Sequence, residues 1–152
     1  MKIIVQKTVI NRMINALKRA GPNETKGACF ASKTSDDCYS IEDVFLSKEK
    51  GTMVFSNLKI NYSYKCFEKR YFKKHKYDYV NHNYIGDWHS HPSFDCLPSN
   101  YDKKEAFEEL YNSNAKFLIQ LIIKLIDNEI TGRCFLYLKN SITEECELVF
   151  DK

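Results

Sequence analysis

Residues Gly86 to Asp102 read GDWHSHPSFDCLPSNYD and place His89, His91, Ser99 and Asp102 at the spacing H-x-H-x7-S-x2-D. Two imidazoles two residues apart on an extended segment point to the same face, and a carboxylate brought in by a following helix completes a three-ligand metal cup. That leaves a fourth position for water. A structural zinc site closes its shell with four protein ligands and uses more sulfur. Two nitrogens, one oxygen and an open place therefore indicate a catalytic zinc ion, one per chain. A plainer reading of Ser99 and Asp102 is that S-x-x-D marks a helix N-cap, with Asp102 in the first turn. The two readings are compatible.

Outward from this stretch, Tyr84 to His89 forms the strand that delivers the histidines, with Trp88 pointing opposite to both and into the core. Ser99 opens a helix to about Tyr111, with Phe107, Leu110 and Tyr111 on its inner side. Two long strands follow. Phe117, Ile119, Leu121, Ile123 and Leu125 share one face of the first; Cys134, Leu136 and Leu138 share one face of the second; Asp127-Asn128-Glu129 supplies the turn. A last strand is expected near Cys146 to Phe150.

Upstream, Val9, Ile10, Met13, Ile14 and Leu17 recur at helical spacing, and Gly21-Pro22 ends that helix. Strands are expected at Ala28 to Ala31, at Cys38 to Leu46 after a turn at Ser35-Asp36-Asp37, and at Thr52 to Ser56. The segment Asn57 to Tyr84 interleaves lysines with aromatics, and Tyr64, Phe67 and Tyr71 fall at helical spacing. Such a pattern can stack bases and meet phosphates, or dock an acidic protein. Because the aromatics occupy the core face, the expectation is a solvated basic face over a buried one. The order of elements has no βαβ rhythm, so the fold class is α+β: a mixed, mostly antiparallel sheet flanked by helices.

At 152 residues the chain is read as one domain, 1–152, large enough for a core of its own. With 23 Lys+Arg against 20 Asp+Glu the net charge is +3, which gives no ground for a nucleic-acid or membrane partner. The N-terminus lacks an apolar leader, and the longest apolar run, Phe117 to Ile126, is interrupted by Gln120 and Lys124 and too short for a bilayer. A cytoplasmic location is expected. Six cysteines make no CxxC pair and are read mostly as buried thiols.

The Gly86–Asp102 stretch resembles the metal signature of the JAMM metalloproteases, the catalytic branch of the JAB/MPN domain family, which cleave ubiquitin-like proteins from conjugates. Tyr84 to Pro92 (YIGDWHSHP) and Pro98-Ser99 are similar to bacterial JAB deconjugases, including those of CBASS antiphage operons. The resemblance implies an MPN/JAB-like (cytidine-deaminase-like) fold, with zinc on His89, His91 and Asp102 and Ser99 assisting the developing oxyanion. Pro22-Asn23-Glu24-Thr25-Lys26-Gly27 matches the family's Pro-x-Glu-x-Gly-Gly context except that Lys26 replaces the first glycine. Glu24, read from residues alone as an exposed loop charge, becomes the proton shuttle. Cys96, in a Cys-Leu-Pro-Ser word similar to a Cys-Pro-Ser element of some members, is either a switch ligand filling the open zinc position at rest or an ordinary loop thiol.

The implied activity is zinc-dependent hydrolysis of a peptide or isopeptide bond at a ubiquitin-like or otherwise conjugated C-terminal tail. That tail would lie extended against a sheet edge near the site. The protein partner is the substrate carrying the tail, and a homodimer is left open. The rival readings are an inactive MPN scaffold and a JAMM peptidase that trims a sulfur-carrier-like tail.

Overall fold

The computed structural model describes residues 1–48 and 61–151. Its elements in chain order are β1 (Lys2–Val5), α1 (Lys7–Ala20), β2 (Lys26–Ser35), β3 (Cys38–Leu46), α2 (Tyr62–Lys74), β4 (His82–Ser90), α3 (Asn100–Asn112), β5 (Phe117–Ile126), β6 (Glu129–Leu138), β7 (Thr143–Glu145) and β8 (Glu147–Phe150). The strand expected at Thr52 to Ser56 lies outside the described residues.

The eight described strands form one sheet in the order β7-β6-β5-β4-β2-β3-β1-β8. Pairs β2/β3, β2/β4, β5/β6 and β6/β7 are antiparallel, whereas β1/β3, β1/β8 and β4/β5 are parallel. The α+β class and the mostly antiparallel mixed sheet are as expected.

Strand alternation sorts the core onto two faces. Cys29, Ala31, Trp88, Ile119, Leu121 and Ile123 pack with Val9, Met13 and Leu17 of α1. Ala28 and Phe30, on the opposite face, pack with Tyr64, Phe67 and Tyr71 of α2, and Leu118 and Ile122 pack with Leu110 of α3. β5 is therefore buried on both faces, which is why its run is nearly continuous. Trp88 is fully buried, as its alternation with His89 demands.

Several boundaries carry local causes. Gly21 at the end of α1 adopts φ 59 and donates its N–H to Leu17 O at 3.0 Å, closing the last turn. The β5–β6 hairpin turns on two residues, Asp127 and Asn128, at φ 51 and 65, the backbone that Asp and Asn tolerate best.

Three findings depart from expectation. β1 was not foreseen: it inserts between β3 and β8, so Ile3 and Val5 complete the α1 face. Tyr111 does not face inward but is 53% exposed, its hydroxyl donating to Lys139 O at 2.8 Å. β7 was not foreseen either: it pairs with β6 ahead of Cys146, and the expected last strand follows as β8. Among the described residues no helix is long and apolar enough to cross a membrane.

Candidate metal centre

β4 ends between His89 and His91. β4 lies in the middle of the sheet, pairing His89 with Lys26 of β2 and with Ile122 of β5. Just past the strand, His91 N–H donates to Ile123 O at 3.0 Å, so the extended course that turns both rings to one side continues beyond Ser90. Both histidines are buried. His91 Nδ1 stands 2.8 Å from Asp95 O. A carbonyl only accepts, so Nδ1 carries the proton and Nε2 presents a lone pair.

Asp102 arrives from α3 through a capping box. Ser99 is the N-cap: its Oγ accepts from Asp102 N at 3.1 Å, and Asp102 Oδ2 accepts from Ser99 N at 2.7 Å and from Ser99 Oγ at 2.6 Å. The cap occupies Oδ2 and turns Oδ1 toward His89 Nε2, 3.7 Å away. The N-cap reading of S-x-x-D is realised, and the same cap leaves Oδ1 facing His89.

His89 Nε2 and His91 Nε2 lie 3.1 Å apart, and Asp102 Oδ2 is 3.9 Å from His91 Nε2. Ligand atoms of the three residues all fall within 4.8 Å of one another. In a tetrahedral shell with bonds of 2.0–2.1 Å, neighbouring ligand atoms sit about 3.3 Å apart. The observed separations bracket that figure, so this donor set fits a zinc-sized cation. Two ring nitrogens at such a distance also need a shared proton or a cation between them. Burial, opposed by Asp102, lowers the His89 pKa to about 4, which keeps the ring neutral and able to ligate.

Glu24 sits on the exposed turn between α1 and β2 and lines the same cavity as His89 and Asp102. Its neighbour Thr25 is locked to β4: Thr25 N–H donates to Ser90 Oγ, and Ser90 N–H to Thr25 O, each at 2.9 Å. Gly27 follows from a close approach. A Cβ there would lie 1.7 Å from Phe45 O and 2.8 Å from Trp88 Nε1, and the Trp88 indole donates to Phe45 O at 3.0 Å across it.

Lys26, Asp87 and Gln120 line the cavity although none was read as a site residue. Lys26, where the resembled motif has glycine, lines the cavity, as does Asp87, one β4 position short of Trp88. Burial, reinforced by Glu109 and opposed by Lys26, pushes the Asp87 carboxyl up to about 8. Gln120, read only as a dilution of β5, is buried, accepts from Tyr137 OH at 3.0 Å and donates to Asp102 O at 3.4 Å, so it braces the first turn of α3. A polar residue within a nearly continuous apolar strand was the available signal.

Cys96 lies elsewhere. It is buried against Leu110, Leu118, Ile122, Phe135 and Tyr137, burial pushes its thiol pKa up, and it is not among the three residues whose ligand atoms gather. The strands around the centre, β2, β4 and β5, are each paired on both sides, and among the described residues the sheet edges are β7 and β8. Among the described residues, the cleft that continues from Glu24 instead runs between Ala16 and Ala20 of α1 and Leu46 at the end of β3.

A family profile described as prokaryotic homologs of the JAB domain matches residues 6–133. Among solved structures, the chain is similar to a Desulfitobacterium hafniense protein known by its solution structure: TM-score 0.67, 21% identity, 99% of this chain and 93% of that one covered. It is also similar to the crystal structure of a JAB1/MPN domain protein from Archaeoglobus fulgidus: TM-score 0.50, 17% identity, 97% of this chain and 98% of that one covered. No curated protein matches.

Proposed function

The chain belongs to the family of prokaryotic homologs of the JAB domain, and from that premise we propose that it is a zinc-dependent peptidase or isopeptidase. It would cut ubiquitin-like or otherwise conjugated proteins at a C-terminal tail. The observation that carries the reading is the convergence of His89, His91 and Asp102, with Glu24 on the wall of the same cavity. Zinc held there would polarise a scissile carbonyl and acidify a water.

The remaining work falls to the chain's own groups. Glu24 accepts the proton of the attacking water and hands it to the leaving amine. At rest the Ser99 hydroxyl donates to Asp102 Oδ2; as charge builds on the carbonyl oxygen, that proton turns to it, a donor worth about 2.7–4 kcal/mol in the transition state. The α1/β3 cleft that meets Glu24 offers an extended tail a path to the centre. Resting-state ligation by Cys96 would require the loop before α3 to lift its thiol out of the apolar cluster. The setting we propose is a bacterial deconjugase, with antiphage defence as its biological role.

The test is cleavage of a fusion between a ubiquitin-like protein and a reporter, with mass spectrometry of the cut site. Glu24→Gln should keep zinc and lose about 10²–10⁴ in turnover. Cleavage that withstands both chelation and Glu24→Gln would overturn the mechanism. Zinc-loaded protein inert on every such fusion, a sulfur-carrier tail included, would mark a scaffold.

A further inference from the structure

We propose that Glu42, His75 and His82 form a second zinc site, on the α2 side of the sheet and separate from the His89 centre. The three residues come from three elements: Glu42 from β3, His75 from the C-cap of α2, and His82 from the first position of β4. Nothing in their sequence spacing brings them together; the packing of α2 on the sheet does.

Their ligand atoms all lie within 4.8 Å of one another. Glu42 Oε1 is 2.9 Å from His82 Nδ1 and 3.0 Å from His75 Nε2, and the two imidazoles stack with centroids 3.8 Å apart. One observation separates this from an ordinary hydrogen-bonded triad. His75 Nε2 is buried and makes no hydrogen bond, although the Glu42 oxygen is so near. A buried nitrogen that faces a carboxylate oxygen at 3.0 Å without a well-aligned hydrogen bond is poorly satisfied, and a cation set between the two would satisfy both. For both rings to meet one ion they must splay about χ2, and His82 must carry its proton on Nε2 rather than Nδ1.

The surroundings suit a ligand set. Tyr71 OH lies 2.7 Å from Glu42 Oε1 and orients the carboxylate, as outer-shell partners of metal ligands do. Burial by itself would raise the Glu42 carboxyl, but the hydrogen bonds from Tyr71 and His82 outweigh it and hold the group ionised. The His82 side chain is 25% exposed, which leaves an entry path from solvent. Two imidazoles and one carboxylate form a zinc-type donor set. His82 and His89 stand seven residues apart on one strand, about 23 Å at the rise of an extended chain. The two centres therefore share no ligand. An ion here fastens the end of α2 to the start of the strand that carries His89 and His91.

Equilibrium dialysis of the full chain against Zn2+, followed by metal analysis, tests the site. The expected result is two equivalents for the wild type, one for His89→Ala, one for His82→Gln and none for the double variant. With Co2+, the equivalent bound by His89→Ala should show no sulfur-to-cobalt charge-transfer band, which excludes the cysteines. Zinc should raise the melting temperature of His89→Ala and leave that of the double variant unmoved. A His89→Ala variant that binds no zinc overturns the proposal, as does an equivalent in it that survives both His75→Gln and His82→Gln; a wild type with a single equivalent that His89→Ala keeps and His82→Gln loses would count against the His89 centre instead. If either of those variants misfolds, His89→Ala alone decides: one cobalt equivalent without sulfur supports the site, and none overturns it.

Discussion

Thr25 and Ser90 exchange two hydrogen bonds, Thr25 N–H to Ser90 Oγ and Ser90 N–H to Thr25 O, both 2.9 Å long and both buried. Ser90 lies between the two histidines and Thr25 follows Glu24, so one side-chain oxygen couples the position of the acid to that of His89 and His91. Ser90→Ala leaves the Thr25 N–H buried and unpaired, which should cost about 1–3 kcal/mol in stability. Because Ser90 is not a ligand, zinc content should hold while turnover falls. A variant with full turnover at reduced stability would show that Glu24 does not depend on this tether.

Asp102→Asn separates the two tasks of that residue. Asn can still accept the Ser99 N–H, so α3 should keep its cap and the fold should lose well under the ~1 kcal/mol typical of a lost cap. The anionic ligand is gone, and retained zinc should fall sharply under dialysis. Equal zinc retention in Asp102→Asn and wild type would remove Asp102 from the ligand set.

Asp87 should make the metal-stripped protein less stable as pH rises. Burial, with Glu109 second, moves its pKa from 3.8 unfolded to about 8 folded. The folded state then holds the proton more tightly, so the stability this provides is full below about pH 4 and lost as pH climbs through 8. Asp87→Asn removes that slope. Urea midpoints for variant and wild type, both metal-free, should diverge in favour of the variant from pH 5 to pH 8. Parallel midpoints would mean that the carboxyl is already ionised in the native state.

What was legible in the sequence was what local pattern dictates. The apolar face of α1, the bounds of β3, the Ser99 cap and the common direction of His89 and His91 all follow from spacings of four residues or fewer. β1 was hidden because four residues gain strand character only from parallel partners more than thirty positions away, Cys38 to Ile41 and Glu147 to Phe150. Gln120 was passed over because its partners, Tyr137 and the Asp102 carbonyl, are supplied by other elements. The Glu42, His75 and His82 cluster has no local spacing at all. Glu24 looked like an exposed charge, and it is exposed; what places it at the centre is the pairing of β2 with β4, a tertiary fact.

That pairing leads to the last expectation, at Gly27. Its backbone needs no glycine-only conformation; what excludes a side chain is proximity, because a Cβ would stand 1.7 Å from Phe45 O and 2.8 Å from Trp88 Nε1. Gly27→Ala must therefore push β2 from β3 or break the Trp88 to Phe45 hydrogen bond, and overpacking of this kind costs about 1–3 kcal/mol or more. Trp88 is the sole tryptophan of the chain, so its fluorescence reports the break directly: red-shifted emission with a lowered denaturation midpoint. Zinc retention should weaken as well, since Trp88 directly precedes His89. Lys26→Gly, one residue earlier, adds no atom and should leave the emission unchanged. If Gly27→Ala matches wild type in both midpoint and emission, the strands have room that the close approach denies.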